Sequence, residues 1–163
     1  MIQRIQTLYL LAIVALGITL CFQSVLLFES PETADTACVW ELSPVGLTEF
    51  SADQANAPMI ALQGVWGLLL ATALIPLLAL IDIFLYRKRI LQARLNVFLA
   101  FLCIGWYGVA AIYVWLMKVS VPGVEWSPDV SSATPLICLV LTVMATRAIL
   151  KDEALVRAAD RIR

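Results

Sequence analysis

Four long runs of hydrocarbon side chains constrain this chain before anything else in it. They read "IQTLYLLAIVALGITLCFQSVLLF", "GVWGLLLATALIPLLALIDIFLY", "LNVFLAFLCIGWYGVAAIYVWLM" and "PLICLVLTVMATRAIL". A helix needs about 20 mostly apolar residues to cross the hydrocarbon core of a bilayer. Spans are therefore expected near residues 5–28, 58–86, 95–117 and 133–150, the fourth borrowing from its flanks. A segment in lipid must satisfy its own backbone, which leaves helices or closed barrels. The alternating pattern of barrel strands is absent. The first run is too long for the roughly 7–15-residue core of a signal peptide, so it is read as a retained span. The expected fold is an all-α integral membrane protein, one four-transmembrane-helix domain over residues 1–163.

Charge sets the expected direction. Only 14% of the residues are charged and the net charge is -1, against about 25% charged in soluble domains. The bases are sharply segregated. Arg4, then Arg87, Lys88, Arg89 and Arg94, then Arg147, Lys151, Arg157, Arg161 and Arg163 fall on one side of four successive crossings. The loops at 29–57 and 118–132 carry Lys118 alone, with Glu29, Glu32, Asp35, Glu41, Glu49, Asp53, Glu125 and Asp129. The bias of Lys and Arg toward cytoplasmic segments then places both termini, the loop 87–94 and the tail 151–163 in the cytoplasm.

The larger extracytoplasmic loop, 29–57, is too long for a simple connector. Short strands are expected near 37–42 and 46–50, where apolar and β-favouring residues cluster. Trp40 in this loop and Trp126 in the second are expected to meet as a lid over the helix ends. The cytoplasmic loop "RKRILQAR" is a basic face, formed with Arg4, that anchors topology and suits anionic headgroups. The tail "KDEALVRAADRIR" has no Gly or Pro to stop the fourth helix, so it is expected to continue it. Asp152, Glu153, Arg157, Asp160 and Arg161 are its candidate contact residues, either folded back on the basic face or docked to a partner.

Polar groups inside a span need a partner. Asp82 is the only acid within the runs, and Arg147 lies at the same edge. An Asp82–Arg147 ion pair is expected as a clasp between spans two and four, a proton or cation site being the functional alternative. Gln23 and Gln63 are expected to bond across the first helix pair. Gly64, Gly67, Gly105 and Gly108 are candidates for close helix contacts, and Pro76 for a kink. There is no histidine, the commonest acid/base group. The four cysteines are widely separated, so neither a metal site nor a disulfide framework is expected. No nucleophile–base pair or phosphate loop stands out. No catalytic residue, metal or cofactor is expected.

Three stretches, "MIQRIQTLYLL", "IFLYRKRILQARLNVF" and "RAILKDEALVRAADRIR", resemble the small bacterial membrane proteins grouped as domain of unknown function 4293. The resemblance implies four spans in a bacterial cytoplasmic membrane of the Bacteroidota type. It brings no activity, ligand or catalytic residue. The combined expectation is a non-enzymatic accessory or scaffold subunit of a membrane complex. Its partners would be the lipid bilayer and a membrane or cytoplasmic protein held through the tail, with no nucleic acid. A small transporter or channel working as a homo-oligomer is the rival.

Overall fold

A seven-residue spacing of buried positions organises the helices. The computed structural model describes residues 3–29, 38–51, 65–85 and 88–160. Helix α1 (Gln3–Leu20) buries Gln6, Leu10, Ile13, Gly17 and Leu20. Helix α2 (Trp66–Phe84) buries Leu68, Thr72, Ile75, Ala79 and Asp82. Helix α3 (Arg89–Ser120) buries Gln92, Asn96, Leu99, Cys103, Trp106 and Ala110. Helix α4 (Thr134–Asp160) buries Cys138, Thr142, Ala145, Ile149 and Asp152. In each, the steps alternate four and three. That is the repeat that keeps one seam turned toward neighbours in an antiparallel bundle. The helices close a ring, α1 on α2, α2 on α3, α3 on α4 and α4 on α1. Their outer faces stay apolar, with Leu8, Leu70, Phe84, Phe101 and Ile112 exposed. A helix greasy outside as well as inside belongs in hydrocarbon.

Among the described residues, three helical segments, Trp66–Phe84, Ile90–Ser120 and Val130–Asp152, are long and apolar enough to cross a membrane. Helix α1 has 18 residues, about 27 Å at 1.5 Å per residue, just under the roughly 30 Å core. It ends earlier than the expected first span. Cys21 and Phe22 donate back to Ile18 and Thr19 in a tightened last turn, and the chain leaves the helix before "VLLFE". Helix α3 is longer than the expected third span and absorbs residues 89–94, and of the α2–α3 turn Leu85 and Lys88 are described, the Lys88 amide donating to the Leu85 carbonyl at 2.9 Å. Helix α4 runs unbroken past its apolar stretch to Asp160.

A small antiparallel sheet covers the end of the bundle away from that turn. Its strands are β1 (Leu26–Glu29), β2 (Cys38–Leu42), β3 (Leu47–Ser51) and β4 (Glu125–Pro128), in the order β3-β2-β1-β4. Strands β2 and β3 lie where the sequence suggests them. Strands β1 and β4 are additions to that reading. A reciprocal pair of backbone bonds between Ser43 and Gly46, at 2.9 and 3.2 Å, closes the β2–β3 hairpin. Pro44 occupies the second turn position, where its fixed φ suits the bend. Leu26, Leu42 and Leu47 are in register across three strands, and all are buried against the helix ends. Glu29 and Glu125, paired at the far end of the register, are exposed.

Candidate functional site

The amide and carboxyl members of the seam gather at the end nearest the α2–α3 turn. Asn96 on α3 donates from Nδ2 to Asp82 Oδ2 on α2 at 2.8 Å. Gln92, one turn earlier on α3, donates to the backbone carbonyl of Asp82 at 3.3 Å. Gln6 on α1 donates from Nε2 to Asp152 Oδ2 on α4 at 2.8 Å. All five side chains are buried. The layer therefore ties α2 to α3 and α1 to α4, each time by an amide on a carboxyl. Higher in the bundle, Trp106 Nε1 donates to Thr72 Oγ1 at 2.8 Å, and the Thr72 hydroxyl donates in turn to the Leu68 carbonyl at 2.8 Å.

This arrangement replaces the expected partner of Asp82. Arg147 is exposed on the outer side of α4, while Asp82 faces the seam. The heptad phase explains why. Ala145 and Ile149 hold the inward positions of that turn, and residue 147 falls between them on the far side. Asp152 likewise turns inward to Gln6 instead of reaching the basic face. Among the described residues, no group bonds Asp82 Oδ1 or Asn96 Oδ1. These are two buried acceptor oxygens in one layer, each able to accept from a small donor. They do not amount to a metal centre, since among the described residues no three of His, Cys, Asp and Glu stand together.

The basic face is described in part. Lys88, Arg94, Arg147 and Lys151 are exposed. The side chains of Arg4, Arg89, Glu153, Arg157 and Asp160 lie outside the described residues, as do Arg87 and Arg161 altogether. At the opposite end the two tryptophans flank a third ring. Phe28 on β1 is in register with Trp40 on β2 and with Trp126 on β4. Phe28 is fully buried between them, Trp126 is 44% exposed, and Lys118 Nζ stands 6.0 Å from the Trp126 ring. The tryptophans do not abut because β1 inserts between their strands. Below them Asp129 ties β4 to β1. Ser24 and Ser131 donate to Asp129 Oδ2 at 3.3 and 3.0 Å, Ser131 also reaches the Ser24 carbonyl, and Asp129 N–H donates to Val25 at 3.0 Å. The Val130 amide, with the hydroxyls of Ser131 and Ser24, holds the Asp129 carboxyl below the usual carboxylate range.

Close helix contact occurs at an unexpected glycine. A Cβ on Gly17 would lie 2.8 Å from Pro76 Cδ on α2. Gly105 and Gly108 have nothing within 4 Å of where a Cβ would stand, and both are exposed. Gly64 and Gln63 lie outside the described residues, and Gln23 is exposed. The residues that sequence reasoning missed are Gln6, Gln92 and Asn96. Their signal was present: each falls on the same seven-residue phase as the hydrocarbon core of its helix.

A helical bundle with an apolar exterior, a polar layer at one end and a sheet at the other defines a helical membrane protein. The chain belongs to the family described as Domain of unknown function (DUF4293), whose sequence model matches residues 2–162. No curated protein matches the chain.

Proposed function

We propose that this protein is a non-enzymatic accessory or scaffold subunit of a complex in a bacterial cytoplasmic membrane, with four spans and both termini in the cytoplasm. One observation carries the reading. Helix α4 leaves the bundle as a continuous rod from Thr134 to Asp160, and its exit point is fixed to α1 by the Gln6–Asp152 bond. A helix held at its base and extended beyond its neighbours is a mounting for something else. The interior supports the same reading. The seam is filled by Leu10, Ile13, Leu68, Ile75, Leu99 and Trp106, all at most 1% exposed, so the bundle is packed like a core and not like a conduit. Orientation rests on the Lys and Arg bias. On that placement the polar layer and the projecting tail are cytoplasmic, and the sheet is extracytoplasmic.

Crosslinking in native membranes, followed by gentle extraction and mass spectrometry, tests this reading. The full chain is compared with one ending at Asp152, which keeps the Gln6 bond and removes the projection. A reproducible set of companions captured by the full chain and lost with the tail supports the reading. Equal capture by both chains removes the tail from it. A homo-oligomer without companions overturns it in favour of a small transporter or channel component.

A further inference from the structure

A groove runs along the outer surface between α3 and α4. Val97, Ala100, Phe101 and Ile104 line it on one side, and Val143, Thr146 and Arg147 on the other. Its volume is about 390 Å³. From Val97 to Ile104 it extends about 10 Å along α3 at 1.5 Å per residue. That compares with about 15 Å for one leaflet of hydrocarbon, half of the full core. One end is therefore hydrocarbon and the other carries a guanidinium.

Among the described residues, the charges around that end are unbalanced. Arg94 lies one turn before Val97 on α3, and Lys151 one turn beyond Arg147 on α4; all three bases are exposed, as is Lys88. The two described acids of this end are turned away. Asp82 is buried and bonded to Asn96, and Asp152 is buried and bonded to Gln6. Arg147 also falls within the apolar segment Val130–Asp152, where an exposed cation at the hydrocarbon edge calls for a counter-charge.

We infer that this groove binds one anionic phospholipid, one of its two acyl chains between α3 and α4 and its headgroup phosphate at Arg147, with Arg94 and Lys151 adding to the field. The inference rests on the membrane placement proposed above. The shape of the groove favours a lipid chain over a partner helix. Helices in membranes associate through small residues that let backbones approach, whereas this groove is rimmed by Phe101, Ile104, Val97 and Val143, each at least 41% exposed. A flexible chain can settle between such side chains onto Ala100. Arginine presents a planar fork of donors that matches a phosphate.

Native mass spectrometry of the full chain, delipidated in detergent and offered equal phosphatidylglycerol and phosphatidylcholine, tests the site. The wild-type chain is expected to retain one phosphatidylglycerol in preference. Arg147→Ala should weaken that retention about fivefold, the equivalent of one basic contact near a headgroup. Ala100→Phe fills the groove floor with every charge in place and should also displace the lipid. Equal retention of the two lipids overturns the inference, as does an Arg147→Ala chain that keeps the wild-type preference. So does a photocrosslinker at position 101 that captures a protein instead of a lipid in native membranes. Extraction of the membranes with alkaline carbonate separates the two levels of failure. A released chain overturns the membrane placement itself. A chain that stays embedded but shows no lipid preference overturns only this site.

Discussion

The Asp82–Asn96 pair is where one side chain most clearly decides how the bundle behaves. A buried carboxyl loses hydration and recovers it only through donors, and Asn96 Nδ2 is the donor that reaches its side chain at 2.8 Å. Replacing Asn96 by Leu would leave the carboxyl without that bond, and a stranded buried acceptor costs about 1–3 kcal/mol. Asn96→Leu should therefore lower the unfolding midpoint in detergent. Asp82→Asn keeps the shape and removes the ionisable group, so it should leave stability equal or higher. If Asp82→Asn proved the more damaging of the two, the carboxyl would have a partner beyond Asn96. Gly17 gives a second contrast. A methyl there would meet Pro76 Cδ at 2.8 Å, and overpacking of this kind costs about 1–3 kcal/mol. The same change at exposed Gly105, with nothing within 4 Å, should stay within about 0.5 kcal/mol. Comparable losses from Gly17→Ala and Gly105→Ala would mean that α1 and α2 are not in close contact at this point.

At the scale of elements, the sheet depends on joining two loops that are distant in sequence. Asp129 makes the joint, accepting from Ser24 and Ser131 while its amide bonds Val25. Its carboxyl lies below the ordinary value of 3.8 in the folded chain. Its contribution to stability is thus fully present above about 3.8 and is lost as pH falls through the lower folded value. Hydrogen exchange at β1 and β4 should accelerate in that acid window relative to α2 and α3, and Asp129→Asn should flatten the dependence. An unchanged pH response in Asp129→Asn would clear Asp129 of that role. Strands β2 and β3 were legible because "CVWEL" and "LTEFS" are short, β-favouring and flanked by turn residues. Strand β1 was not, because "LLFE" continues a hydrocarbon run, and periodicity cannot separate a buried strand from the end of a helix. Strand β4, "EWSP", is exposed at every position, so no alternation marks it; it pairs because β1 offers an edge. In the site, Asp82 and Asp152 stood out as acids, but their partners did not. Gln6, Gln92 and Asn96 are uncharged amides that become visible only on the heptad phase, and the pull of opposite charges pointed to Arg147 instead.

The whole molecule turns on whether α1 belongs with the three helical segments long and apolar enough to cross a membrane. Alone it is marginal, at about 27 Å for its 18 residues. Its packing groups it with those three. Gln6 at its start reaches Asp152 on α4, Gly17 near its end abuts Pro76 on α2, and β1, just beyond it, sits in the same sheet as β4. Helix α1 therefore spans the bundle from the polar layer to the sheet, and a bundle that sits across a bilayer carries α1 with it. The missing few ångströms can be made up by local thinning of the bilayer, at a fraction of a kcal/mol per ångström. This gives a sided prediction. In a chain with its four native cysteines changed to alanine, Val45→Cys lies on the exposed β2–β3 turn and Lys88→Cys on the α2–α3 turn. In spheroplasts an impermeant maleimide should label Val45→Cys at once and Lys88→Cys only after lysis. An N-terminal tag should resist added protease until the same lysis. Reversed labelling would invert the orientation while keeping the bundle. A tag digested in intact spheroplasts, with the cysteines behaving as expected, would mean that α1 does not cross. The Gln6–Asp152 bond would then have to form on the outer side, where Lys151 and the tail would lie as well. The Lys and Arg bias opposes that outcome, because it would carry the tail's bases, Lys151, Arg157, Arg161 and Arg163, across the membrane.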